Sequence, residues 1–327
     1  MSEKDFLTHN QQMKRLRVTK KIVCSGSADK EILCRFGYFN LVNGYKNAFV
    51  AGKDAKGNHV YYRGTSIREL YALKQFDDEL RAILLKQITR VEEELRTIFA
   101  YKFDEANQNG KIAWYQIEAY DQGRDGVSIM SAISKAYRDV DVSSQEYVKY
   151  YLEHHKFIPT WIMIKVISFS HFINLLDYSK KPVKQAVCKM YGLFDNDGKE
   201  DFDLLIGSLH WLRIVRNACA HNERVYTVHK AKSRIKTVYM DDLARSYSRE
   251  DDKRIIDLIV YMKYYCPHQE YLKFIDQVKK LLLILKRDIK GSAFENVRAG
   301  LGIKDLSHLD KLCANKKVIN YNVLSKL

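Results

Sequence analysis

Arginine, asparagine and histidine gather in one stretch of the chain, Arg216-Asn217-Ala218-Cys219-Ala220-His221-Asn222-Glu223-Arg224-Val225-Tyr226, directly after the apolar run LLIGSLHWLRIV. A histidine titrates near neutrality and can act as general acid or base toward a hydroxyl or a leaving oxygen. An arginine can hold a phosphate through two parallel N–H bonds and stabilise charge on a pentacoordinate transition state. Arg216 and His221 thus carry two functions that phosphate-ester chemistry uses. Their spacing, R-x4-H, complicates a shared site: five residues of regular helix give about 500° of rotation, which leaves the side chains roughly 140° apart. Either the helix ends or distorts near His221, or the long arginine reaches around, or a second copy of the chain supplies the missing group. Asn222 is compatible with the first option, because asparagine tolerates the left-handed conformation of a helix C-cap. The spacing by itself carries little weight, since roughly two such matches are expected by chance. Arg224 and His229 make a second match, in a segment with none of the surrounding pattern. On local chemistry alone the simplest reading is a surface arginine near a helix C-terminus, where cations are favoured, with a capping histidine.

The elements that must position these residues read as mostly helical. The chain has 327 residues, 46% of them hydrophobic, enough for a large core, and only 3 Pro and 15 Gly. A sandwich or barrel needs turn residues more often than that. Residues 1–64 form a small basic and aromatic module: the opening MKRLRVTKKIV, a short helix in SADKEILCRF, and a probable hairpin in GKDAKGNHVYYRG, whose Gly, Asp and Asn mark turns. From Ser66, which forms a capping box with Glu69, apolar residues recur at three- and four-residue spacing to Ile98. That predicts one helix over about 66–105, or two nearly collinear ones broken near Phe76–Asp78. Further helices are expected at about 127–139 and 144–156, the latter opened by a Ser143/Glu146 capping box. Pro159 begins PTWIMIKVISFSHFINLL, apolar on every side and read as one helix at the centre of a bundle. A helix from Pro182, the one ending in RNACAH, and two more at about 249–265 and 268–290 complete the series. The segment RVYTVHKAKSRIKTVYM between them reads as a loop or hairpin. Residues 65–290 would form the helical domain, and 291–327 a basic, weakly patterned C-terminal extension.

Charge narrows the partners. With 55 Lys+Arg against 40 Asp+Glu the formal charge is +15, which favours polyanions because clustered cations displace counterions from a phosphate backbone. Nucleic acid leads; a membrane is not expected, since no run of 18 apolar residues exists and the N-terminus lacks the apolar centre of a signal peptide. The six cysteines, at 24, 34, 188, 219, 266 and 313, include no C-x-x-C pair and no Cys/His cluster of metal-ligand spacing. Reduced thiols in a cytoplasmic protein, with Cys219 a small buried one, are expected, and neither a metal nor a cofactor.

RNACAH followed by NER closely resembles the RN-x-x-AH-x-x-R signature of the Abi-like family of abortive-infection proteins (the AbiD/AbiF type), within the HEPN superfamily of helical ribonucleases. Three further blocks match in order: FGYFNLVNGYKNAF, RVEEELRTIFAYKF and IPTWIMIKVISFSHFINLL. The resemblance covers about residues 15–230. It implies a HEPN-like helical bundle with a small mixed α/β N-terminal module, and metal-independent endoribonuclease activity in phage defence. Attack by RNA's own 2′-hydroxyl would leave a 2′,3′-cyclic phosphate and spare DNA. Arg216 and His221 would be catalytic, Asn217 would orient the phosphate or the imidazole, and Arg224 would contact a phosphate. Paired HEPN units line one cleft, so a C2 homodimer with facing RNACAH segments is implied. Lys165 and Ser170 depart from the glutamate and glycine usual in the tryptophan-containing block, which puts in doubt a catalytic role for that helix. The alternative is an RNA-binding protein that does not cut, bound to or controlled by a small structured RNA; a purely structural helical dimer is the third.

Glu92 and Arg96, at i and i+4, read as a solvated helix-surface pair. Tyr38, Phe39 and Tyr45 read as core residues before base-stacking ones. The basic runs MKRLR, VTKK and KRDIK read as solvated faces that could extend an RNA track.

Overall fold

A computed structural model describes residues 6–235, 237, 252–314 and 318–325. The N-terminal module is mixed, as its punctuation indicated. Helix α1 (His9–Val18) begins at a Thr8/Gln11 capping box, and α2 (Gly26–Phe36) ends at Gly37. Strands β1 (Val50–Lys53) and β2 (His59–Tyr61) pair antiparallel. The turn between them is tied by the Asp54 carboxylate, which accepts the backbone N–H groups of Lys56 and Asn58.

Helix α3 (Ile67–Ala106) runs 40 residues without interruption from the Ser66/Glu69 capping box, about 60 Å. No break occurs at Phe76–Asp78. Asp77 faces the interior there, its carboxylate bonded to Tyr45 and Tyr226 from the chain packed against it and to Arg81 one turn along the same helix, so the helix has no unpaired charge to expel. Replacing Ser66 with alanine is expected to cost about 1 kcal/mol of stability, read from the urea midpoint; an unchanged midpoint would mean the cap contributes nothing.

Around α3 stand α4 (Gly126–Asp141), α5 (Glu146–His155), α6 (Thr160–Val166), α7 (Phe169–Tyr178), α8 (Lys181–Tyr191) and α9 (Phe202–Ala220). Beyond residue 252 come α10 (Ile255–Tyr265), α11 (His268–Asp288), α12 (Gly291–Leu301), α13 (Ser307–Cys313) and α14 (Asn322–Ser325). α3 is the axis: α6, α8, α9 and α11 all pack on it.

Two sequence expectations are corrected. The Ser143/Glu146 capping box does not form; α5 starts at Glu146, after Gln145, with no side-chain cap. Glu146 therefore occupies the first helical position and cannot reach back as the third one would. The single apolar helix expected from Pro159 is two. Ile167 is extended (φ −67°, ψ 148°), and the Ser168 hydroxyl caps α7 by accepting the His171 N–H at 3.2 Å. Asp139 on α4 fixes the break: one carboxylate oxygen takes the Ser168 N–H at 2.8 Å and meets His171 Nδ1 at 2.5 Å. The break lets α6 and α7 bury different sides, which removes the need for one helix enclosed all round. The helix buried at every residue is instead α10; there Asp257 accepts the Arg254 N–H and pairs with Arg234, and Lys263 donates to the Leu312 and Ala314 carbonyls.

Residues 249–251 of the expected helix, and 236 and 238–240 of the expected loop or hairpin, lie outside the described residues. Residues 224–235 run as turns and irregular chain, with an isolated bridge between Lys230 and Lys253. The weakly patterned tail folds back on the N-terminal module, where Asn296 Nδ2 donates to the Ala48 carbonyl at 2.9 Å. One hydrophobic cluster extends from Met13 to Ile319. Among the described residues no helix is long and apolar enough to cross a membrane.

Candidate functional site

α9 carries the RNACAH segment because Asp201 caps its start and its apolar face, Leu205, Leu209, Leu212 and Val215, is wholly buried. The helix stops at Ala220, with His221 as its C-cap. Asn222 is left-handed (φ 57°); its N–H reaches the Cys219 carbonyl at 3.2 Å while the Glu223 N–H reaches Ala218 at 2.9 Å. Those two bonds make a Schellman turn. The helix thus ends at the histidine, but that ending does not by itself bring His221 to Arg216.

Arg216 lies in a groove of about 1050 Å³ between α3 and α6. Its Nε is 3.8 Å from Glu92 Oε2 and its Nη1 donates to Asn217 Oδ1 at 3.2 Å. The side chain is 36% exposed, while Nε itself is buried without a hydrogen-bond partner among the described residues. His221 is exposed at the helix end and is not among the residues that line the groove. Arg216 and Asn217 are brought together; His221 of the same chain is not brought into the groove beside them.

Glu92 and Arg96 are not a solvated pair. Arg96 Nη2 is 2.6 Å from Glu92 Oε1, with side chains only 13% and 11% exposed, and Arg96 Nη1 donates to the Ile164 carbonyl on α6. α6 covers the pair, which surface spacing could not reveal, and Glu92 then faces both Arg96 and Arg216. Glu92→Gln is expected to lower stability by about 1–3 kcal/mol by leaving Arg96 short of a charged acceptor. A urea midpoint equal to the parent's would return the pair to a surface role.

The turn after His221 is held by residues that the sequence reading passed over. Asp77 accepts the Tyr226 N–H at 2.9 Å, the Tyr45 hydroxyl at 3.0 Å and Arg81 Nη1 at 2.7 Å, and takes the Val225 N–H at 3.2 Å. Arg81 Nη1 also donates to the Glu223 carbonyl at 3.0 Å. Burial pushes the Asp77 carboxyl above its usual range, opposed by the Tyr226 N–H and by Arg81. The signal was present: Asp77 and Arg81 sit within the apolar stripe Leu73, Leu80, Leu84, where a charge must be paired.

Arg224 is half-buried, donating to the Gly44 carbonyl and to Thr227 Oγ1 at 2.8 Å, with its guanidinium 5.7 Å from the Tyr226 ring centre. It ties the turn to the N-terminal module. Tyr45 is buried and Tyr38 packs against the core, whereas Phe39 is exposed. Cys219 is buried and its thiol is pushed up to about 12 by burial, so it is protonated at neutral pH. Under native conditions iodoacetamide is expected to label exposed Cys34 and spare Cys219, read by peptide mass spectrometry; rapid labelling of Cys219 would contradict this. Among the described residues no group of three His, Cys, Asp or Glu side chains is arranged to hold a metal.

A family model described as Abi-like protein matches residues 31–227, well over half of the chain. The chain belongs to the Abi-like family. At the family level this ties the protein to abortive infection, the defence in which a bacterium halts phage spread. The match runs from α2 through α9 and ends one residue beyond the Asp77-bound turn, so the groove and the RNACAH segment of this Abi-like protein both lie inside it. No curated protein and no solved structure matches the Abi-like chain.

Proposed function

We propose that this protein is a metal-independent endoribonuclease of phage defence, belonging with the HEPN ribonucleases, in which Arg216 and His221 cleave RNA by 2′-hydroxyl attack. The observation that carries the reading is Arg216 itself: a guanidinium 36% exposed at a groove wall, 3.8 Å from Glu92 Oε2, whose Nε makes no hydrogen bond among the described residues. A phosphate in the groove would accept from the exposed part of this guanidinium, in competition with Glu92. Asn217, already bonded to the same guanidinium, would hold the arginine in position. His221 would move the proton, from the 2′-hydroxyl or to the leaving oxygen.

Because His221 stands outside the groove that holds Arg216, the site is completed by a second copy, in a C2 homodimer with facing RNACAH segments. The partner subunit's His221 would then act with Arg216 of this chain. The same placement favours a second reading, in which the protein binds RNA, including a small structured RNA that controls it, without cutting. Purified protein incubated with RNA in EDTA separates the two. Cyclic-phosphate ends that disappear in both Arg216→Ala and His221→Ala support cleavage; tight, salt-sensitive binding without cleavage supports the second. A strictly monomeric protein would sink the shared-site geometry.

A further inference from the structure

The groove beside Arg216 is graded from one end to the other. On α3 its lining runs from Thr89 to Glu105 along a single helix face, about 24 Å. α6 forms the facing wall and runs in the opposite sense, since its Ile164 carbonyl meets Arg96 while Thr160 Oγ1 donates to Asp104 Oδ1 at 2.5 Å. Trp161 and Lys165 are four residues apart on α6, hence on one side of it and separated by about 6 Å along the axis. Lys165 lies toward Arg96 and Arg216; Trp161 lies toward Tyr101 and Asp104. Arg96, Arg216 and Lys165 thus outnumber Glu92 and Glu93 at one end, and aromatic rings occupy the other.

The aromatic end cannot favour a phosphate chain. Asp104 and Glu105 line it, and of the two only Glu105 is neutralised, by Lys102 at 2.9 Å. A nucleobase is uncharged and has a flat face. Trp161 is 52% exposed and Tyr101 44%, while the other two tryptophans, Trp114 and Trp211, are each 1% exposed. An indole left in water at the wall of a concave site is a stacking surface for such a ring. The groove's volume, about 1050 Å³, is at the top of the range of small-ligand sites, roughly 300–1,000 Å³, so it accommodates a nucleotide or two and not a duplex.

We infer that the groove between α3 and α6 seats an unpaired base of single-stranded RNA on Trp161, with an adjoining phosphate on Lys165 and Arg216. The inference rests on RNA being the ligand of the Arg216 site. Lys165, a departure from the glutamate usual in this block, acquires a role in binding.

The test uses a single-stranded 2′-O-methyl oligoribonucleotide, whose blocked hydroxyls prevent cleavage. Because Trp161 is the exposed tryptophan of the three, acrylamide quenching reports on it. The probe is expected to quench the intrinsic fluorescence and shield Trp161 from acrylamide. Trp161→Ala is expected to weaken binding by roughly 5- to 100-fold, Trp161→Phe to retain most of it, and Lys165→Ala to lower the salt slope by about one. If the parent protein cleaves RNA to cyclic-phosphate ends but Trp161→Ala changes neither probe affinity nor KM, the base seat is overturned and the ribonuclease reading stands. If the probe binds with Trp161 shielded and no RNA is cut, the base seat stands and the cleavage reading falls. If the parent neither binds nor cuts RNA, both are overturned.

Discussion

Arg216→Ala is expected to reduce RNA cleavage by about 10²–10³-fold, the usual cost of removing one donor aimed at charge that develops in a transition state. His221→Ala is expected to cost about 10²–10⁴-fold, through loss of proton transfer. The two substitutions differ in what they do to binding. Arg216 contacts the groove and Glu92, so its loss should weaken probe affinity and lower the salt slope; His221 is exposed outside the groove, so its loss should leave affinity nearly intact. Both should leave stability close to the parent's, because neither side chain is buried. Quantifying 2′,3′-cyclic phosphate ends under single-turnover conditions in EDTA checks the rates, and the urea midpoint checks folding. If the two copies share a site, mixing Arg216→Ala with His221→Ala restores activity in the heterodimer, where one of the two composite sites is complete. Full activity in either folded single variant would remove that residue from the chemistry.

Asp77→Ala is expected to be the most damaging substitution for the fold, at about 3–5 kcal/mol. Asp77 has a fully buried carboxylate, and Arg81 beside it is only 7% exposed. Removing the acid leaves the arginine charge with less compensation, and leaves the Val225 and Tyr226 N–H groups and the Tyr45 hydroxyl without their acceptor. A domain is stable by only about 5–15 kcal/mol, so such a loss is a large fraction of the whole. Its effect also reaches the site, since these bonds fix the chain immediately after His221. Asp77→Asn keeps one carbonyl acceptor and the side-chain shape, and is expected to fold while losing activity more than groove binding, as the turn beyond His221 loosens. A denaturation midpoint for Asp77→Ala within about 1 kcal/mol of the parent would show that the network does not hold the turn.

How much was legible depended on whether the signal was local. The Ser66/Glu69 box and the periodicity from Leu70 to Ile98 gave α3, because capping and amphipathic spacing are properties of neighbours on one helix. The helix end near Asn222 was one of three options open to the sequence, and the Schellman bonds at Ala218 and Cys219 select it. The Pro159 segment misled because apolar residues on all sides are satisfied by one enclosed helix or by two that turn different faces inward. Asp139, 29 residues before Ser168, decides between them. The Glu92–Arg96 pair misled in the same way: i,i+4 spacing predicts the bond, and whether water surrounds it depends on α6.

Sequence alone determined the helical class, the small hairpin module and the membership signature at Arg216, Asn217 and His221, all written within a few residues or in ordered blocks. Tertiary structure decided which of those residues meet. It placed Arg216 against Glu92 and His221 outside the groove, gave Arg224 partners in the N-terminal module, and assembled the Trp161–Lys165 wall opposite α3. The physical reason is that burial and pairing belong to contacts between segments as much as 248 residues apart, and such contacts leave no spacing in the chain to be read.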